Sequence, residues 1–133
     1  MRIVIDTNVF VIALIGKGSP ELIDWLADKK FTVLFSNETY GELLEVVHRP
    51  KFKKLFTENR ILRLLELLET IKEIVPVSSV TDICRDKKDN FLLDLSKDGT
   101  AAYLITEDFD LLEIEIYHNT KIVKYRQFVS AIL

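Results

Sequence analysis

The sequence predicts an α/β fold, a three-layer α/β/α sandwich around a mostly parallel sheet of about five strands. Two observations carry that expectation. Short apolar runs rich in β-branched residues, the pattern of strands buried on both faces, alternate with longer segments whose apolar residues recur at helical spacing. Only 4 glycines and 3 prolines are spread over 133 residues, with no linker, repeat or low-complexity stretch, so a single domain over residues 1–133 is expected.

Arg2–Ile5 opens the chain as a buried strand. Val9–Ile15 then turns helical, and Gly16-Lys17-Gly18 breaks it. Ser19-Pro20 suits the start of the next helix, with Ser as N-cap and Pro at the first helical position. That helix carries Leu22, Ile23, Trp25 and Leu26 and closes on Lys29-Lys30, where positive charge complements the helix dipole. Phe31–Phe35 reads as a second strand. Ser36 caps a helix whose apolar face is Leu43, Leu44, Val46 and Val47 and which stops near Pro50. The longest helix runs from Glu58 to Glu73, with Ile61, Leu64, Leu65, Leu68 and Ile71 on one face and Leu62 and Leu67 widening it. Ile74–Val77 is expected as a short strand, Asp89–Ser96 as a helix, and Ala101–Thr106 as a strand. Leu111-Leu112 fits a helical turn, Lys121–Lys124 a last strand, and Tyr125–Ile132 a last helix.

Composition excludes several classes. Hydrophobic residues make up 48% and charged residues 29%, the balance of a folded globular domain. Cys84 is the only cysteine, so neither a disulfide framework nor a cysteine-based zinc site exists, and the two histidines, His48 and His118, are too far apart for a paired-histidine ligand motif. The N-terminal apolar run is too brief for a signal peptide and no run can span a bilayer, so no membrane association and a cytoplasmic location are expected. The net charge of −3 gives no general attraction for nucleic acid, so any such binding needs a local basic patch.

The informative feature is where the carboxylates fall. Asp6 ends the first strand, and Asp108 and Asp110 follow the strand that ends at Thr106. In an open α/β sheet, ligands bind beyond the carboxyl ends of the strands, near the switch in strand order, so both sets of acids face the functional edge. Each has a plainer alternative. Asp6 is equally suited to cap a helix, Glu42 to sit solvated on a helix surface, and Asp89 to cap the helix it precedes, where Asp86 competes for the role.

Read together, these segments resemble the PIN-domain family of nucleases over nearly the whole chain. Ile3-Val4-Ile5-Asp6-Thr7-Asn8-Val9 is similar to the family's first motif, a strand ending in Asp followed by Thr or Ser and Asn. Ser36–Leu44 resembles the second, a capped helix carrying Glu42. Asp86–Leu95 resembles the third, in which Asp89-Asn90 opens a helix, and Tyr103–Leu112 matches the fourth. His48-Arg49-Pro50-Lys51 and Leu111-Leu112 look closest to a prokaryotic subgroup described as toxins of toxin–antitoxin pairs. One departure is visible: the fourth motif usually reads Thr-Gly-Asp, whereas this chain has Thr106-Glu107-Asp108, which puts the local metal geometry in doubt.

The resemblance implies an Mg²⁺- or Mn²⁺-dependent endoribonuclease, with RNA as substrate, an antitoxin protein as a partner and homodimers as a common assembly. It implies Asp6, Glu42, Asp89 and Asp108 as catalytic residues. Of these, Asp6, Asp89 and Asp108 would be the metal ligands, while Glu42 would bind a second ion or orient water. Clustered carboxylates repel, and hard divalent cations that prefer oxygen ligands relieve the repulsion. Thr7, Asn8, Asn90 and Thr106 are neutral groups suited to orienting the carboxylates or to satisfying loop backbone. Asp110 is an alternative ligand or a cap of the following turn. For substrate contact the richest basic stretch is Arg49, Lys51, Lys53, Lys54, Arg60 and Arg63, with Phe52 and Phe56 nearby. A solvated helix face beside core aromatics is the commoner role of such a stretch. Lys87 and Lys88 flank Asp89, and Lys17 fits either a lid or a plain turn. Cys84 reads as a packing residue. The rival from another class is an inactive PIN-like module that binds RNA or protein, for which Glu107 is the main argument. Nucleotide-binding glycine loops are absent, and the dehalogenase-type signature needs an Asp where Asn8 stands.

Overall fold

The computed structural model describes residues 1–16, 21–28 and 30–132. Lys17, Gly18, Ser19, Pro20 and Lys29, on which the first helix break, the second helix start and part of its closing charge were placed, lie outside them. In chain order the elements are β1 (Arg2–Ile5), α1 (Thr7–Ile15), α2 (Glu21–Asp28), β2 (Thr32–Phe35), α3 (Asn37–Val47), a 3-10 turn (Pro50–Phe52), α4 (Glu58–Ile71) and β3 (Lys72–Ile74). They continue as α5 (Lys87–Asp98), β4 (Tyr103–Ile105), α6 (Phe109–Leu112), β5 (Ile116–Tyr117), β6 (Thr120–Val123) and α7 (Tyr125–Ile132).

The strands form one sheet in the order β3-β2-β1-β4-β6-β5, parallel throughout except for the β5–β6 hairpin. The two-residue period of a strand sends alternate side chains to opposite faces. Ile3, Ile5, Val33, Phe35 and Ile105 enter one core, formed with α1, α2, α3, α4 and α7. Val4, Leu34, Leu104 and Ile122 enter the other, formed with α5 and α6. The result is the expected three layers, with six strands where about five were anticipated. From β1 the chain builds outward through β2 to β3, then crosses back to place β4 on the other side of β1. The switch point therefore lies between β1 and β4, at the carboxyl ends that carry Asp6 and Asp108.

Local chemistry explains most element ends. Gly16 closes α1 at φ 81°, a left-handed conformation that glycine adopts without strain, and its N–H reaches the carbonyls of Ile12 and Ala13. Ser36 caps α3 in a reciprocal box with Thr39, and Thr57 caps α4. Two strand readings shift. β3 begins at Lys72, directly from the end of α4, rather than over Ile74–Val77. It is an edge strand that carries charge: Arg2 pairs with Glu73 at 2.8 Å, and Lys72 lies over the Tyr40 ring. β5 escapes pattern reading because it is only two residues long, set by left-handed backbone at Glu115 and His118. Leu62, expected to widen the apolar face of α4, is 48% exposed.

Phe128 of α7 is fully buried at the centre of an aromatic group, 5.0 Å from Trp25, 5.1 Å from Tyr103 and 5.6 Å from Phe31 between ring centroids. Phe128→Ala is expected to destabilise the fold by about 3–5 kcal/mol in denaturant titration, whereas Leu62→Ala changes stability by less than about 0.5 kcal/mol.

Candidate metal centre

The parallel pairing of β1 with β4 continues one residue past the strands, through Asp6 N–H donating to the Ile105 carbonyl at 2.9 Å. This sets Asp6 beside Thr106. The fully buried Thr106 hydroxyl donates to Asp6 Oδ2 at 2.9 Å and accepts from the Asp108 backbone N–H at 3.0 Å. One hydroxyl thus joins two acidic segments a hundred residues apart. Asp6 also caps α1, accepting from the Asn8 N–H at 3.5 Å, while it lines the cleft described below.

At α5 the competition for the cap is settled in favour of Asp86, whose Oδ1 accepts from the Lys88 N–H at 2.9 Å. Asp89 is left in the first turn, only 5% exposed, and its Oδ2 is buried without a hydrogen-bond partner. Asp108 caps α6 by accepting from the Asp110 N–H at 2.9 Å. Carboxylate oxygens of Asp89, Asp108 and Asp110 lie within 4.8 Å of one another. Asp110, read from the sequence as an alternative ligand or a cap of the following turn, stands in this compact group. Asp6 faces the same cleft from the side.

The cleft is about 780 Å³ and is lined by Asp6, Thr7, Asn8, Glu42, Asp89 and Asp108, with Arg49, Lys51, Lys87 and Lys88 at its rim. Glu42 reaches it from α3 and lies 3.5 Å from the Lys88 ammonium. Burial first, and then the charge of Asp108, push the Asp89 carboxyl up to about 7. Burial likewise raises Asp6, opposed by its hydrogen bonds from Thr106 and Asn8 and reinforced by the charges of Asp108 and Glu42. Such a site fits a hard divalent cation: a buried carboxylate, one of whose oxygens has no hydrogen-bond partner, belongs to a group made of carboxylates alone, with no nitrogen or sulfur donor.

The contacts bear on several readings that the sequence left between two roles. Asn90 does not orient the acids. Its Oδ1 accepts from the N–H groups of Ile83 and Cys84 and its Nδ2 donates to the Cys84 carbonyl, so the side chain clamps the loop before α5. Arg60 donates to the Ala13 carbonyl at the end of α1, and Arg63 pairs with Asp24 of α2, so both are held in helix–helix contacts. Phe56 is buried and stacked on Phe52, which leaves it unable to stack on a base. Lys53 lines a separate depression with His48 and Phe56, and Lys54 is exposed and lines neither. Arg49 is at the rim but engaged with Glu45 at 2.8 Å. Burial raises the Cys84 thiol, with nearby Asp charges adding to the effect, so it stays protonated, and it packs on the second core. Glu107 is not part of the acidic group: it is exposed, its carboxylate accepts from the Tyr125 N–H at 3.3 Å, and its φ is not positive, so no glycine is required there.

Sequence reasoning overlooked two features. Arg85 pairs with Asp110 at 3.3 Å. Asn90, Asp94 and Asp98, spaced four apart on α5, form a carboxylate and amide spine that straps down the preceding loop. Asp98 receives the Ser78 and Ser79 N–H groups and the Ser79 hydroxyl, and Asp94 the Thr81 N–H. The helical spacing of those three polar residues was the available signal.

A family model described as the PIN domain matches residues 2–110, which include every acid of the group and Glu42. The chain belongs to the PIN-domain family, whose members are generally nucleases that bind divalent metals. It is 32% identical over 117 residues, 86% of this chain and 75% of the relative, to an uncharacterized protein of Methanocaldococcus jannaschii. No solved structure matches.

The raised Asp89 pKa has a sign that can be measured. A folded value above the unfolded one means Asp89 contributes most stability below about pH 4 and loses it as pH rises through about 7. Without metal, Asp89→Asn should match wild type near pH 4. At pH 8 it should exceed wild type by at least about 1 kcal/mol, near 4 °C in Tm. A gap that does not widen with pH contradicts the assignment.

Proposed function

We propose that this protein is an Mg²⁺- or Mn²⁺-dependent endoribonuclease, and the toxin of a toxin–antitoxin pair. The observation that carries the catalytic part is the buried Asp89, one oxygen of which lacks a hydrogen-bond partner, grouped with Asp108 and Asp110 at the sheet's switch point. Asp89 and Asp108 would hold the cation, with Asp110 or Asp6 completing the ligand set. When bound, the cation supplies Lewis-acid activation of water and neutralises charge at the scissile phosphodiester. Thr106 keeps Asp6 and the Asp108 backbone in register. Glu42, which lines the same cleft, would bind a second ion or orient the attacking water. Lys51, Lys87 and Lys88 at the rim supply the local positive charge that a net −3 chain needs to attract a polyanion.

The inactive-module reading rested on Glu107, whose carboxylate accepts from the Tyr125 N–H rather than joining the acidic group, which favours the enzyme. Resemblance alone carries the toxin role, and a small DNA-binding antitoxin encoded beside this chain would support it.

Asp6→Asn and Asp108→Asn preserve helix caps, because Asn also accepts from the following N–H groups. Each is expected to lower metal-dependent cleavage of RNA roughly hundredfold or more without lowering metal-free stability. Cleavage equal to wild type in both variants contradicts the proposal. Millimolar Mn²⁺ should raise the wild-type Tm and leave an Asp89→Asn/Asp108→Asn double variant unmoved.

A further inference from the structure

Between Asp108 and Asp110 the chain presents Phe109, a residue that is 71% exposed. It belongs to α6, a single rigid turn. Asp108 caps it, the Leu112 N–H donates to the Asp108 carbonyl at 3.0 Å, and the fully buried Leu111 anchors it. A large ring held in water by a fixed backbone forgoes the burial that a Phe ordinarily finds, and here it does so next to the acidic group. Phe109 forms one wall of a shallow groove of about 450 Å³ with Ile116, Lys121, Lys124 and Gln127. Lys121 and Lys124 are exposed and in no ion pair among the described residues, and Glu115 is the one carboxylate on the groove. Adjacent residues, Asp108 and Phe109, thus line the catalytic cleft and this groove respectively.

We propose that this groove is a nucleotide-binding subsite for single-stranded RNA, with a base stacked on Phe109 and backbone phosphates contacted by Lys121 and Lys124. The inference rests on the ribonuclease reading and extends it. The strand would run from the Lys51, Lys87 and Lys88 rim, over the carboxylates, onto the α6–β6 side. An aromatic platform beside two free lysines is the combination that holds single strands with little sequence preference, since every base offers a π-face and every linkage a charge. A base paired within a duplex has no free face for the ring, so the subsite selects unpaired RNA.

The test is binding of a labelled oligoadenylate by fluorescence anisotropy, with Ca²⁺ in place of Mg²⁺. Phe109 is exposed, so its variants should fold as wild type. Phe109→Ala is expected to weaken binding about tenfold. Phe109→Trp should retain binding and show quenched indole emission in the complex, and an oligomer with abasic positions should bind wild type and Phe109→Ala equally. Lys121→Ala/Lys124→Ala should weaken binding and flatten its salt dependence. If wild type binds the oligomer and Phe109→Ala binds it as tightly, the subsite is overturned while the ribonuclease reading stands. The subsite is overturned in the same way if Phe109→Ala alters only self-association. If wild type neither binds nor cleaves any RNA, the ribonuclease reading itself falls.

Discussion

Asp89 is a carboxylate placed where water cannot reach one of its oxygens and where two other carboxylates are its neighbours. At about 4 Å and an effective dielectric of 20, each pair of unit charges repels by about 4 kcal/mol. The fold tolerates this because the surrounding contacts fix the acids independently of one another. Asp86 takes the cap of α5, Asp108 takes the cap of α6, and Thr106 joins β1 to β4 across their carboxyl ends. Burial first, and then the neighbouring charge of Asp108, raise the Asp89 carboxyl to about 7, so without a cation a proton there relieves both the desolvation and the repulsion. The same arrangement that is unfavourable when charged and empty is a ready ligand set for a hard divalent ion.

The rest of the architecture serves that placement. The central strands β1 and β4 are buried on both faces, so their ends are rigid, and the reversal of strand order beside β1 opens the crevice into which both ends point. The spine of Asn90, Asp94 and Asp98 fixes the loop that delivers Asp86 and Arg85, and so fixes where α5 begins and where Asp89 lies. Stability of the layers comes from elsewhere, notably the aromatic group around Phe128 on the opposite face of the sheet. A destabilising acidic rim is tolerated because that core does not depend on it.

How much of this was legible in the sequence follows from the range of each interaction. Alternation and helical spacing are local, so β1, β2, α3, α4 and α7 could be located, along with the layer order that short strands alternating with helices impose. β5 could not, because two residues carry no period and its backbone depends on left-handed turns. β3 was misplaced because an edge strand tolerates charge, and Lys72-Glu73 reads as helix. The acids of the site were visible as residues at strand ends, but their meeting was not. Asp110 joining Asp89 and Asp108, and Arg60 and Arg63 leaving the basic patch for helix contacts, depend on three-dimensional neighbours that spacing does not encode. Glu107 shows the limit of motif comparison. The carboxylate of this residue, which departs from the expected small one, is taken up by the start of α7.

The central claim is that a divalent cation joins the carboxylates gathered at the β1–β4 switch. Anomalous diffraction from crystals grown with Mn²⁺ addresses it directly. A peak in contact with Asp89 and Asp108, at oxygen distances of about 2.0–2.3 Å, is the predicted result. A well-ordered crystal with those side chains in place, no peak among them and manganese only at surface sites would contradict it.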